Sequence, residues 1–119
     1  MFACQGKKKI DVAEIIKRLS FESGNEQLKN NLITILSEYN QEMLKKFLLF
    51  VTAKQRPPNF FVVPDYCIKV KFDDKMKVNG LPTANTCFNK INIPIYPTLK
   101  IMKDMLDIAI LECEGMDNE

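Results

Sequence analysis

Apolar residues recur at helical spacing through the first half of the chain. Asp11, with Glu14 three residues on, reads as a capping box, in which each side chain satisfies a backbone N–H that a helix start leaves free. Val12, Ile15, Ile16 and Leu19 then share one face, and Leu19-Ser20-Phe21 reads as a short strand. Ser23-Gly24 is a turn. Asn25 caps a second predicted helix, to about residue 39, whose buried stripe is Leu28, Leu32, Ile35, Leu36 and Tyr39, with Lys29 and Asn30 facing away. Asn40 caps a third, with Met43, Leu44, Phe47, Leu48 and Val51 turned inward. So short a break makes the two helices an antiparallel or sharply angled pair.

The period then changes. Residues 52–64 hold Pro57, Pro58 and Pro64 and read as a loop, because proline lacks the N–H that a sheet interior needs. Residues 66–72 alternate strictly: Tyr66, Ile68, Val70 and Phe72 point one way, and Cys67, Lys69 and Lys71 the other. That is a strand with one buried face. Residues 73–80 are polar and end in Asn79-Gly80, a strong turn signal. Residues 81–96 carry one cysteine, two prolines and an apolar alternation after the cysteine. Pro97 and Thr98 then stop the extended chain and cap a closing helix through about residue 112. Leu99, Met102, Leu106, Ala109 and Cys113 line its buried face, Met105 and Ile108 widen it, and Gly115 ends it. Helices first, then a strand, a second extended segment and a last helix describe a small α/β, or α+β, domain.

Composition narrows the chemistry. A chain of 119 residues, 46% apolar and 27% charged, is one ordinary soluble domain. A net charge of +2 gives no reason to expect nucleic acid or an anionic membrane as partner. Lys7-Lys8-Lys9 reads as a solvated tail or linker, and Arg56 as a surface charge. The apolar run at residues 47–51 is far short of the roughly 20 residues of a membrane span. Residues 1–6 do not have the form of a signal peptide and read as a cut end. The cysteines at 4, 67, 87 and 113 are isolated, which fits a reducing compartment, cytoplasmic or nuclear, and makes no C-x-x-C metal or redox pair. The sequence has no histidine. That removes Cys–His and Ser–His catalytic pairs and histidine zinc ligands from within the chain. Cys87, between a turn and a short extended segment, stands out as the candidate nucleophile.

The run L-P-T-A-N-T-C-F-N-K-I-N-I-P-I-Y at residues 81–96 resembles the active-site segment of HECT-type ubiquitin ligases, L-P-x-A-x-T-C-x-N-x-L-x-L-P-x-Y. Leu81, Pro82, Ala84, Thr86, Cys87, Asn89, Pro94 and Tyr96 match it, and Ile91 and Ile93 stand in for leucines. Asn85 occupies a position that is often histidine in the family. Residues 46–53 resemble the family's F-L-x-F-V-T-G segment, with Ala53 in place of glycine, and Arg56 with Pro58 resembles its R-x-P. Residues 106–110 look like the L-x-x-A-I of its last helix. The likeness spans residues 10–119.

The resemblance implies the smaller, C-terminal lobe of a two-lobed catalytic domain: a small mixed sheet packed with several helices over residues 10–119, with residues 1–9 as the remnant of an interlobe hinge. It implies that Cys87 takes ubiquitin from a conjugating enzyme as a thioester and passes it to a substrate lysine. The implied partners are ubiquitin, the conjugating enzyme (met mainly by a larger N-terminal lobe outside this chain) and the substrate. No cofactor or metal, nucleic acid or membrane is implied, and the isolated lobe is expected to be a monomer. Thioester exchange is nearly thermoneutral, and a free thiol, with a pKa of about 8.5, is a few per cent thiolate at pH 7. Such chemistry suits a site without histidine. Pro82, Asn85, Thr86 and Asn89 are the supporting residues: Pro82 restricts the approach to the loop, Thr86 meets the ubiquitin tail or a thioester oxygen, and Asn89 ties the loop to backbone through its amide. Phe88 is expected to pack. Met116, fourth from the end where the family usually has phenylalanine, is expected to anchor the tail, so that Asp117 or Glu119 assists attack by the lysine. Two other functions fit the residues less well: a non-catalytic ubiquitin-binding or regulatory module derived from such a lobe, and a thiol redox protein.

Overall fold

The computed structural model describes residues 9–54 and 65–116, with side chains described as far as residue 112. The proline-rich segment with Arg56, the first eight residues, and Asp117 and Glu119 lie outside the described residues. The order of elements is α1 (Val12–Lys17), β1 (Leu19–Phe21), α2 (Glu26–Glu38), α3 (Gln41–Thr52), β2 (Ile68–Asp73), β3 (Thr83–Asn85), β4 (Lys90–Pro94) and α4 (Leu99–Met116). This is the expected α/β class, helices packed on a mixed sheet.

The caps form where the sequence puts them. Asp11, Asn25 and Asn40 each accept a hydrogen bond from a backbone N–H of the first turn, of Ala13, Leu28 and Met43, at 3.0, 2.9 and 2.9 Å. Thr98 Oγ1 accepts from the Ile101 N–H at 3.2 Å. Each such bond satisfies a donor that the helix itself leaves free, a contribution of about 1 kcal/mol. At α1 the Glu14 carboxylate turns toward Arg18 and Lys17, at 3.2 and 3.6 Å, instead of back to the cap. At the start of the domain the Gln41 side-chain amide brackets the Ile10 backbone, accepting from its N–H at 2.7 Å and donating to its carbonyl at 2.9 Å.

The four strands lie in the order β1-β2-β4-β3. β1, β2 and β4 are parallel, and β3 runs antiparallel to β4. Strand β3 was not foreseen: Thr83 and Asn85 are exposed, so an edge strand of three residues carries no alternating apolar pattern. Ile68, Val70 and Phe72 of β2 and Ile91 and Ile93 of β4 are buried against the helices, with Leu32, Ile35, Leu36, Phe47, Leu48, Met102 and Leu106. Among the described residues the opposite face carries polar side chains, Lys69, Lys71, Lys90 and Asn92, each half-buried.

Three details of the helices differ from expectation. Helix α4 runs through Gly115 to Met116, because a glycine near a helix end costs only about 1 kcal/mol relative to alanine. Its buried stripe widens toward Ile110, while Ile108, about 140° around the axis from the stripe's centre, is 45% exposed. Lys29 does not simply face away; its ammonium lies over the Phe21 ring, 5.5 Å from the centroid. Phe21 itself stacks on Phe72, 6.3 Å between centroids.

Gly24 and Ala53 have positive φ for clear reasons. Gly24 (φ +108°) turns the chain from β1 into α2 so close to Phe72 that a Cβ would collide with its ring. Beside it, Ser23 Oγ donates to the Phe72 carbonyl at 2.9 Å and accepts from the Phe72 N–H at 3.0 Å. Ala53 closes α3 in the left-handed conformation (φ 68°), its N–H donating to the Leu49 carbonyl. This is the position at which the sequence resembles F-V-T-G, and the geometry explains why glycine suits it: a Cβ there costs about 1 kcal/mol or more. Ala53→Gly is therefore expected to raise stability by about 1 kcal/mol, and Gly24→Ala to lower it by about 2–3 kcal/mol, through both strained φ and the clash. Urea denaturation midpoints of the two variants measure both effects.

Candidate functional site

Cys87 lies in the four-residue turn between β3 and β4. Register brings the strands together as Thr83↔Asn92, Ala84↔Ile91 and Asn85↔Lys90, so the turn occupies residues 86–89. The Phe88 N–H donates to the Asn85 carbonyl at 3.1 Å, and the Asn89 N–H to the Thr86 carbonyl at 3.5 Å. Asn85 Oδ1 accepts from the Cys87 N–H at 3.1 Å, so the cysteine's own amide is held by the residue that opens the turn. An asparagine carboxamide does this well because it reproduces a backbone carbonyl two residues back.

Asn89 closes the turn in the left-handed region (φ 50°), which asparagine tolerates better than most residues. Its carbonyl accepts from the Lys69 N–H at 2.8 Å, tethering the turn to the neighbouring strand β2. The tie to backbone anticipated for Asn89 is thus made by its own main chain. Thr86, Cys87 and Phe88 are all exposed. Phe88 was expected to pack; at 62% exposure it projects from the turn, because residues 86–89 stand clear of the core that begins at Ile91.

The base of the hairpin is fixed more firmly than its tip. Pro82 is buried, which places it as a wedge before β3. Ile91 and Ile93 are fully buried. Tyr96 is buried too, and its hydroxyl donates to the Gly80 carbonyl. One hydrogen bond thereby joins the two ends of the segment that carries the cysteine. Burial pushes the Tyr96 phenol up to about 12. On the open face beside the turn, Lys90 Nζ lies 3.0 Å from Glu22 Oε1 and holds that carboxyl below its ordinary range, with Lys69 and Lys71 adding to the effect.

Five of the sequence-predicted residues, Pro82, Asn85, Thr86, Cys87 and Asn89, therefore share one hairpin. The backbone of Met116 ends α4, its side chain lying outside the described residues with those of Cys113, Asp117 and Glu119. Cys67 is half-buried and stands just before β2, two residues ahead of the Lys69 N–H that bonds the turn at Asn89. The sequence reading missed the part played by Gly80 and Tyr96 in closing the segment. The match of Tyr96 to the family pattern was the available signal. Among the described residues no group of three or more Cys, Asp or Glu side chains is placed to hold a metal ion.

The chain is similar to proteins of one family. The HECT-domain (ubiquitin-transferase) family matches residues 1–119. The chain is 37% identical over 84 residues to the apoptosis-resistant E3 ubiquitin protein ligase 1 of Homo sapiens, which covers 69% of this chain and 10% of that protein. It is 30% identical over 108 residues to an E3 ubiquitin-protein ligase of Arabidopsis thaliana, covering 86% of this chain and 7% of the relative. With an E3 ubiquitin-protein ligase of Schizosaccharomyces pombe it shares 29% identity over 120 aligned positions, 96% of this chain and 16% of the relative. The chain thus spans a small part of the length of the curated relatives it matches.

The Tyr96 phenol gives a test of the hairpin's anchorage. Its folded-state value, about 12, lies above the roughly 10 of an unfolded tyrosine. The protonated form is therefore favoured by folding: its contribution is complete below about pH 10 and is lost as the pH rises through about 12. Tyr39, raised by burial and then by its bond to Asp107, and Tyr66, raised by burial, act with the same sign. Tyr96→Phe keeps the ring but leaves the Gly80 carbonyl without this donor, an expected loss of about 1–2 kcal/mol at neutral pH. It is also expected to flatten the decline in stability between pH 10 and 12, measured by chemical denaturation across that range.

Proposed function

We propose, because the chain belongs to the HECT-domain (ubiquitin-transferase) family, that residues 10–119 are the C-terminal lobe of an E3 ubiquitin ligase and that Cys87 is its nucleophile. Residues 1–9 then belong to the hinge that precedes the lobe. The reading rests above all on one observation: Cys87 is exposed at the tip of a hairpin whose base is buried and clamped.

The chemistry balances as two acyl transfers. The Cys87 thiolate attacks the carbonyl carbon of the thioester that joins ubiquitin's C-terminus to a conjugating enzyme. A new S–C bond forms at Cys87, and the conjugating enzyme's sulfur leaves as a thiolate. The amine of a substrate lysine then attacks the same carbonyl carbon. An N–C bond forms, the Cys87 sulfur leaves, and the amine's proton goes to solvent or to a carboxylate. Both steps need approach along a set direction more than they need a strong base, and correct positioning can supply several kcal/mol of a barrier. Asn85 holds the Cys87 amide, and the Asn89 carbonyl holds the turn to β2, so the thiol meets its partner without first ordering its own loop. In this reading Thr86, which is exposed beside it, meets the ubiquitin tail or the thioester oxygen. Met116 anchors the tail, and Asp117 or Glu119 receives the lysine proton. The partners in this reading are ubiquitin, a conjugating enzyme and a substrate protein, in the cytoplasm or nucleus, and the isolated lobe is a monomer.

The test is a non-reducing gel after incubation of the full-length protein with activating enzyme, conjugating enzyme and ubiquitin. A thiol-sensitive ubiquitin adduct is expected on the wild type and none on Cys87→Ala. Cys87→Ser is expected to trap an oxyester that survives reductant. Absence of any adduct on the full-length wild type would overturn the reading. Removing residues 116–119 is expected to slow lysine transfer at least tenfold while loading of Cys87 proceeds, followed as single-turnover discharge.

A further inference from the structure

The face of the sheet turned away from the helices bears a group of lysines to which the two acyl transfers give no role. Alternation along β2 puts Lys69 and Lys71 on it. Register places Lys90 directly beside Lys69, and Asn92 beside Lys71. Lys90 also lies opposite Asn85, which opens the Cys87 turn. Adjacent strands are about 4.8 Å apart, so the three ammonium groups form one patch. Glu22 is the carboxylate set among them, 3.0 Å from Lys90. Asp73, at the far end of β2, turns its carboxylate to the Lys75 N–H at 2.9 Å. Three lysines against one carboxylate leave the part of the face next to Cys87 positive. Like charges directly across a strand pair are destabilising, so the sheet's own pairing does not account for them.

We propose that this lysine face is a docking surface for an acidic stretch of the substrate protein, next to the lysine that receives ubiquitin. The inference rests on the ubiquitin-transfer reading of Cys87 and gives that site a substrate preference. Three features support an acidic segment of polypeptide. The sign of the patch is right. Its position is right as well, since the face begins at the strand pair that opens the Cys87 turn, and a segment lying on it presents its neighbours to the thiol. Its size and pattern also fit a short peptide: three lysines on two strands, with Glu22 among them, match spaced carboxylates, whereas a continuous phosphate backbone would meet Glu22.

The test uses full-length protein loaded with ubiquitin at Cys87 and two acceptor peptides of equal length. In one the lysine is flanked by Asp and Glu, in the other by Ser and Gly. At low salt the acidic peptide is expected to accept ubiquitin on the order of fivefold faster, as two or three exposed ion pairs provide. The difference is expected to collapse in 0.5 M salt. Lys69→Glu with Lys71→Glu is expected to abolish or invert the preference, the Lys69 N–H tether to Asn89 being kept by any side chain. Equal rates for the two peptides on the wild type, or a preference that survives the reversal, would overturn the proposal. So would retention of a labelled RNA oligonucleotide by the wild type, lost on reversal, together with no effect of the flanks. Binding of the acidic peptide to full-length Cys87→Ala protein reads the face without the thiol. Loss of loading with this binding retained sinks the ubiquitin reading and not the surface, and loading without the binding does the reverse.

Discussion

Strand β4 has a neighbour on each side, and the position of Cys87 depends on it. β2 pairs with β4 in parallel and β3 in antiparallel register. A slip of one residue would turn Ile91 and Ile93 from the helices to the open face, exposing two side chains that are now fully buried. Burying two isoleucines is favourable by about 4 kcal/mol, so the register is strongly held. The turn at residues 86–89 inherits that certainty. Its own hydrogen bonds are local and exposed, and they refine a placement that the buried strand has already made.

The Gly80–Tyr96 bond adds a second constraint from outside the sheet. The hairpin's ends meet at a buried hydroxyl, while its tip bears an exposed thiol and an exposed phenylalanine. Rigidity at the base and access at the tip are what a group needs if it must react with large partners in succession. The absence of histidine from the sequence is compatible with the proposed acyl transfer, since exchange between sulfur atoms relies on alignment more than on a strong base.

Much of this was legible in the sequence, for local reasons. The caps at Asp11, Asn25, Asn40 and Thr98 depend on residues within one turn, and the stripes of α2 and α3 on a fixed period. Cys87 could be singled out because its neighbours form a dense pattern around it. What escaped was decided by contacts distant in the chain. Strand β3 owes its existence to the backbone of β4, not to its own side chains. Ile108, by contrast, was legible and misassigned: the helical period itself puts it about 140° around α4 from the buried stripe, whereas Ile110 borders that stripe. Phe88 looked like a packing residue by type, but its neighbours in the turn hold it off the core. The role of Tyr96 toward Gly80 joins residues 16 apart and needed the fold to be seen.

The two outer strands of the sheet are each three residues long, and the one that leads to Cys87 starts directly after the buried Pro82. An exposed strand edge is a template on which another chain can grow, and short edges and an adjoining proline both blunt it. The sheet that presents the thiol is therefore poorly suited to serve as a seed for intermolecular β-structure.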